Sequence, residues 1–312
     1  MTRAASVYPS DRLVLREVGL RDGLQMVKTW PDTHAKLDWI QREFAAGVRH
    51  FEIGSFLPSA RFPQFVDLRK VAAKAAELRG LHSIALALNE RGVRDALAAP
   101  VGEIALVVSA TEAHSLANQN RGRAEALELI RQAVAARPAD GPLISAGIAM
   151  AFGCSISGPV PQAEVLKLCA ALLDAGVDLI GLADTVGHAG TNDVGALTNA
   201  ARAMAGDVPI CVHLHDTRGM GIANASAALD AGCRVLDGAL GGLGGCPFAP
   251  GATGNVVMED LAFLAETKGF ATGIDLEAMI LVREILATSM PGEQLHGALA
   301  RAGPLERKGQ PA

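Results

Sequence analysis

Eight alternating strand and helix signals over roughly 255 residues predict an α/β fold, a (β/α)8 barrel of the TIM type with additional C-terminal helices. Three observations carry this expectation. Short apolar runs recur at intervals that leave room for one helix each. Several helix candidates end in Ala-Gly just before the next apolar run (Ala46-Gly47, Ala175-Gly176, Ala231-Gly232), as a helix C-cap followed by a strand should. The chain's 312 residues, 50% hydrophobic and 20% charged, are long for one ordinary domain but normal for one such barrel. A doubly wound open sheet is the alternative assembly of the same units.

Taken in order, Leu13 to Val18 reads as the first strand, and the residues from Asp32 through Leu37, Ile40, Phe44 and Ala45 have helical spacing with Asp32 or Thr33 as cap. Strand and helix pairs follow at Val48–Ile53 with Pro63–Leu78, Ser83–Leu88 with a helix to Ala98, and Glu103–Val108 with Ala124–Ala136. The pattern continues at Leu143–Met150 with Gln162–Ala175 and Asp178–Leu182 with Asn192–Ala205. The seventh strand runs from Val208 to His215 with a helix over Ile222–Ala231, the eighth over Arg234–Ala239, and Gly254 or Asn255 starts the eighth helix. Residues 274–298 hold one or two further helices. Residues 1–11, which lack an apolar core segment, read as a disordered leader, residues 12–298 as one catalytic domain, and residues 299–312 as a flexible tail.

Composition excludes several classes. A formal net charge of −5 gives no basic footprint for nucleic acid. With 4% aromatic residues and no run of about 18 uncharged apolar residues, stacking platforms and membrane spans are not expected. The 5 cysteines form no CxxC pair, so a disulfide framework gives way to a reducing, cytoplasmic setting. Cys154, Cys169, Cys211 and Cys233 lie in apolar surroundings as small core residues do, whereas Cys246 lies in a glycine-rich stretch.

In a barrel of this kind the active site forms at the C-terminal ends of the strands. The polar residues expected there are Arg21, Asp22 and Gln25 after the first strand, Glu52 after the second, Asn89 after the third, and Ser109, Thr111 and Glu112 after the fourth. Asp184 and Thr185 follow the sixth, His213, His215 and Asp216 end the seventh, and Cys246 and Asn255 follow the eighth. His213 and His215 share a strand face because side-chain direction alternates with a period of two, which suits them to grip one divalent cation. Each residue also has a plainer use: strand-end histidines satisfied by hydrogen bonds, Asp22 in a turn, Arg21 in a structural bridge, Asn255 as an N-cap. Packing alone does not account for two imidazoles, carboxylates, an amide and a guanidinium gathered at one rim.

These residues sit in motifs. Glu17-Val18-Gly19-Leu20-Arg21-Asp22-Gly23-Leu24-Gln25, Glu52-Ile53-Gly54-Ser55-Phe56 with Pro63-Gln64, Asp184-Thr185-Val186-Gly187, Val212 to Thr217, and Gly241 to Asn255 with Glu259-Asp260 resemble the 3-hydroxy-3-methylglutaryl-CoA lyases of the DRE-TIM metallolyase superfamily. The resemblance runs in order from about residue 12 to 272. It implies Asp22, His213, His215 and Asn255 as metal ligands, Arg21, Glu52 and Cys246 as catalytic residues, and Gln25, Lys28, Asp184 and Thr185 at the substrate. Imidazole, carboxylate and amide ligands without a thiolate favour Mg²⁺ or Mn²⁺ over a tetrahedral zinc.

The implied reaction is retro-Claisen cleavage of 3-hydroxy-3-methylglutaryl-CoA to acetoacetate and acetyl-CoA, the chemistry of leucine degradation and ketone body metabolism. Glu52, Asp22 or a metal-bound water would take the 3-hydroxyl proton, Arg21 would hold the enolate charge, and Cys246 would reprotonate the enolate carbon. Where the lyases read Gly-Cys-Pro-Tyr-Glu-Gly, this chain has Gly153-Cys154-Ser155-Ile156-Ser157-Gly158, and a lysine suited to a CoA phosphate is replaced by the neighbourhood of Arg61, while Lys28 matches another basic position. Those departures bear on the acyl group, so a lyase for citramalyl-CoA or a longer branched homologue is the alternative, with a Claisen-condensing synthase behind it. A homodimer is expected by base rate, with Met279 to Val282 packing on the barrel or on a second subunit.

Overall fold

The computed structural model describes residues 2–244 and 254–303. Strands β1 (Val14–Glu17), β2 (His50–Ser55), β3 (His82–Leu86), β4 (Glu103–Ser109), β5 (Leu143–Ala149), β6 (Leu179–Asp184), β7 (Ile210–Leu214) and β8 (Val235–Gly238) pair in sequence order, and β8 closes on β1. All pairings are parallel, and helices between them wrap the outside, so the closed barrel holds and the open sheet does not.

Helix starts follow local hydrogen-bonding chemistry. Asp32 Oδ1 accepts the Ala35 amide at 2.8 Å to open helix Thr33–Ala45, and Asn89 Oδ1 accepts that of Gly92 at 2.8 Å to open Glu90–Leu97. Thr111, expected at the site rim, instead caps an additional helix, Glu112–Gln119. The helix after β8 begins at Met258, not at Gly254 or Asn255. Asn255 bridges to His215 and Val257 to Ala239, so the chain stays extended through Val257. Helix Leu276–Ser289 buries Met279 and Val282 against the barrel and leaves Leu281 71% exposed. A last short helix, Ala298–Ala302, takes in residues 299–302 of the expected tail.

The N-terminal residues differ from expectation. Arg3–Ser6 forms a 3-10 turn, and Ala4 and Tyr8 are buried against Val14, Leu143, Leu179, Cys211 and Val235 at the lower mouth of the barrel. The Tyr8 hydroxyl donates to Glu103 Oε2 at 2.6 Å. One aromatic ring with a hydroxyl that finds a buried acceptor is enough to anchor a segment that has no apolar run.

The fully buried Glu17 ties the loop after β1 to the loop after β8, Glu259 holds the latter to Arg283, and a third buried carboxyl, Glu43, lies beside Glu17. Glu17 accepts the Gly19 amide at 2.6 Å and that of Leu240 at 3.0 Å, and Glu259 accepts the Gly241 amide at 3.0 Å and Arg283 at 2.6 Å. Burial, only partly offset by the Gly19 and Leu240 N–H groups, pushes Glu17 up to about 8, and burial together with the Glu17 charge holds Glu43 well above the usual carboxylate range. The folded state therefore keeps protons that the unfolded chain has already released, so this cluster's contribution to stability falls as pH rises through about 8. The melting temperature should drop between about pH 6 and pH 8, and Glu43→Gln, which removes one of the two raised carboxyls, should flatten that drop by a few degrees. Parallel pH profiles for the two proteins in differential scanning fluorimetry would assign the slope elsewhere.

Candidate active site

The site is built from strand ends that the barrel brings within reach of one another. After β1 the backbone turns sharply, the amides of Arg21, Asp22 and Gly23 all donating to the Val18 carbonyl at 3.1, 2.8 and 3.2 Å. The buried Gln64 amide clamps the far side of this turn by donating to the carbonyls of Leu24 at 3.2 Å and Gln25 at 3.1 Å. On β7 the rings of His213 and His215 lie 5.2 Å apart on one face, as the strand period requires. A register shift in β2 between Glu52 and Gly54 turns the end of that strand, and Gly54, at φ 147°, supplies a backbone conformation that other residues rarely adopt.

One ligand atom each from Asp22, His213 and His215 lies within 4.8 Å of the others, which makes this group able to hold a metal ion. His215 Nε2 stands 3.5 Å and His213 Nε2 4.0 Å from Asp22 Oδ2. Asn255 joins them: its Nδ2 donates to Asp22 Oδ2 at 2.8 Å and to the Leu243 carbonyl at 3.0 Å. Its Oδ1 is buried without a hydrogen-bond partner among the described residues. An orphaned amide oxygen beside a carboxylate and two imidazoles fits a hard divalent cation, since such a cation is the partner the oxygen lacks. Gly244 passes so close that a Cβ on it would lie 2.7 Å from Asn255 Nδ2, which keeps that position free of any side chain.

Arg21 links the group to Glu52. Its Nη1 donates to Asp22 Oδ1 at 2.6 Å, and its Nε lies 2.7 Å from Glu52 Oε1, an ion pair whose angle falls short of a hydrogen bond. Burial would raise the Asp22 carboxyl, but the Arg21 guanidinium and the two imidazoles outweigh it and hold the group well below its usual range. For Glu52 burial wins over Arg21, and its carboxyl is raised. The two carboxylates on one guanidinium thus differ: Asp22 stays ionised, and Glu52 is the better proton carrier.

A cavity of about 910 Å³ opens over these residues and is lined by Arg21, Asp22, Gln25, Glu52, Thr185, His213 and His215, with Arg61 also on its wall. Small interior residues, Ala105, Gly147, Gly181 and Ala183, let it continue down the barrel to Arg16 and Leu179. Asp184 and Lys28 are not among its lining residues. The Asp184 carboxylate is buried under the turn after β6, where it accepts the amides of His188 at 2.8 Å and Ala189 at 3.0 Å, and Lys28 is exposed to solvent. Thr185 lines the cavity while its Oγ1 accepts the Met150 amide at 2.9 Å. Cys246 lies outside the described residues.

Asp237 and Arg16 were not foreseen. Asp237 Oδ2 lies 3.0 Å from His213 Nδ1, and Arg16 holds both Asp237 oxygens, at 2.6 and 3.0 Å. An ionisable residue inside each of two apolar strands was the available signal, and only barrel closure, which sets Arg16 opposite Asp237 in the β1–β8 register, makes them a pair.

The family model described as HMGL-like matches residues 12–286. The chain is 33% identical over 292 residues to the hydroxymethylglutaryl-CoA lyase of Bacillus subtilis, covering 92% of this chain and 97% of that one. It is 37% identical over 308 residues to the (R)-citramalyl-CoA lyase of Chloroflexus aurantiacus, covering 95% and 96%. Among solved structures, an HMG-CoA lyase from Acinetobacter baumannii in complex with coenzyme A and 3-methylmalate superposes with a TM-score of 0.88 at 34% identity, over 97% of this chain and 99% of that chain.

Proposed function

The chain belongs to the HMGL-like family and is an enzyme of its lyase kind, and on that premise we propose that it cleaves 3-hydroxy-3-methylglutaryl-CoA to acetoacetate and acetyl-CoA with the help of a divalent cation. The observation that carries this reading is the convergence of Asp22, His213, His215 and Arg21 on one cavity. When bound by Asp22, His213, His215 and Asn255, a cation of the Mg²⁺ or Mn²⁺ type supplies Lewis-acid polarisation of the substrate's hydroxyl and carboxylate oxygens.

The chain's own residues do the rest. Glu52, with its raised carboxyl, takes the 3-hydroxyl proton, and Asp22, held ionised by Arg21, is the weaker base. As the carbon–carbon bond breaks, the electron pair moves onto the thioester to give an enolate. Arg21 holds that charge because its guanidinium stays cationic at any working pH. The Cys246 thiol returns a proton to the enolate carbon to give acetyl-CoA. Cys246→Ala should lower kcat about a hundredfold if the thiol is the acid and leave cation affinity unchanged. Near-normal turnover would move the proton source elsewhere.

The second reading, cleavage of citramalyl-CoA to pyruvate and acetyl-CoA, is favoured by the 37% identity to the Chloroflexus enzyme, above the 33% of the Bacillus one. The two substrates differ by one methylene in the acid arm. A panel of 3-hydroxyacyl-CoA thioesters with mass detection of both products decides between them: acetoacetate supports the first reading, pyruvate the second, and cleavage of neither overturns both. No helix among the described residues is long and apolar enough to cross a membrane. A cytoplasmic location and a homodimer, with Leu281 as the apolar residue a second copy would cover, complete the proposal.

A further inference from the structure

The two histidines of the site are held differently. A neutral imidazole that offers the lone pair of Nε2 must carry its proton on Nδ1, and that proton needs an acceptor. For His213 the acceptor is Asp237 Oδ2 at 3.0 Å. For His215 there is none among the described residues, where its Nδ1 is buried without a hydrogen-bond partner. Among the described residues, then, His213 alone of the two has its ring orientation fixed from behind.

Asp237 cannot follow a rotating ring. It sits on β8, 6% exposed, with Oδ1 bound by Arg16 Nε at 2.6 Å and Oδ2 by Arg16 Nη2 at 3.0 Å, a two-pronged pairing that fixes the carboxylate plane. The Cys211 thiol adds a donor at 3.3 Å. Arg16 reaches with Nη1 toward Glu103 at 3.4 Å, and Glu103 is in turn bound by the Tyr8 hydroxyl at 2.6 Å and His82 Nε2 at 3.1 Å. Barrel interiors of this fold are ordinarily filled by Val, Ile and Leu. A buried ion pair is weak support for stability and is often replaced by hydrocarbon without loss, so stability alone does not explain why charge occupies this layer.

We propose that Asp237 is a positioning residue for the cation site, holding His213 as its Nδ1–H tautomer with Nε2 turned toward Asp22, and that Arg16 serves to hold Asp237. The proposal rests on the reading of Asp22, His213 and His215 as cation ligands. An outer carboxylate of this kind changes metal affinity roughly 10- to 100-fold when removed.

The test is Mn²⁺ binding without substrate, followed by electron paramagnetic resonance. Wild type should bind, and Asp237→Asn should bind about 10- to 100-fold more weakly with an unchanged circular dichroism spectrum. Because the single variant leaves buried Arg16 with only the longer contact to Glu103 at 3.4 Å, Arg16→Met/Asp237→Asn, which removes both charges, should show the same loss. In metal-free wild type, nitrogen-15 spectra of the histidine rings should report the proton of His213 on Nδ1. Folded variants that bind Mn²⁺ as wild type does, or an Nε2–H tautomer at His213, overturn the role of Asp237 alone. A wild type that takes up no Mn²⁺ overturns the cation-site reading and the proposal with it.

Discussion

Rigorous removal of divalent cations should abolish carbon–carbon cleavage of the acyl-CoA substrate, and Mg²⁺ or Mn²⁺ should restore it. An unassisted alcohol is far too weak an acid for Glu52 to deprotonate near neutral pH, and a bound cation is the one group the site can recruit to change that. Asn255 Oδ1, buried and without a partner among the described residues, is the structural counterpart of this dependence. Affinity should also fall as pH drops. Burial would lower the His213 imidazole, but Asp237 and Asp22 outweigh it and raise it, so protons compete for the same nitrogen sooner than at an ordinary histidine. Full turnover by enzyme shown to be metal-free by elemental analysis would end the assignment.

Arg21→Met should lower kcat by roughly two to three orders of magnitude, the loss expected for one donor to a developing oxyanion. KM should move little, because the charge that Arg21 is proposed to stabilise exists chiefly in the transition state. Cation affinity should not fall. Arg21 places a positive charge 2.6 Å from Asp22 Oδ1, and removing it leaves that carboxylate freer to serve a cation. This opposite movement of kcat and affinity separates the role from general damage, which would depress both. A loss confined to KM would recast Arg21 as a substrate anchor.

Much of the barrel is legible because its signals are local. Period-two alternation sets His213 and His215 on one face, Ala-Gly marks helix ends, and Asp32 and Asn89 are ordinary caps. The late helix start after β8 and the Arg16–Asp237 pair depend instead on contacts between distant parts of the chain. Asn255 looks like an N-cap until its pairing with His215 is seen, after which the helix must wait for Met258. Asp184 follows a strand as a site residue would, yet it is used by two backbone amides of its own turn. Lys28, implied by the family resemblance, is exposed after the 3-10 turn Gly23–Gln25 and is not among the residues lining the cavity. The Arg16 and Asp237 pair is separated by 221 positions and exists only because the last strand meets the first.

Tyr8 and Ala4 have a consequence for how the molecule assembles. Their apolar partners Leu143, Leu179, Cys211 and Val235 come from β5 through β8, and the hydroxyl partner Glu103 from β4. On a ribosome these two residues emerge before every one of those strands, and the surface they seal does not exist until β8 has joined β1. Long-range parallel closure of this sort is slow compared with local helix formation. On this account the segment holding Ala4 and Tyr8 docks as the barrel is completed, and protection of the Val7 and Tyr8 amides from hydrogen exchange should appear last in a refolding time course.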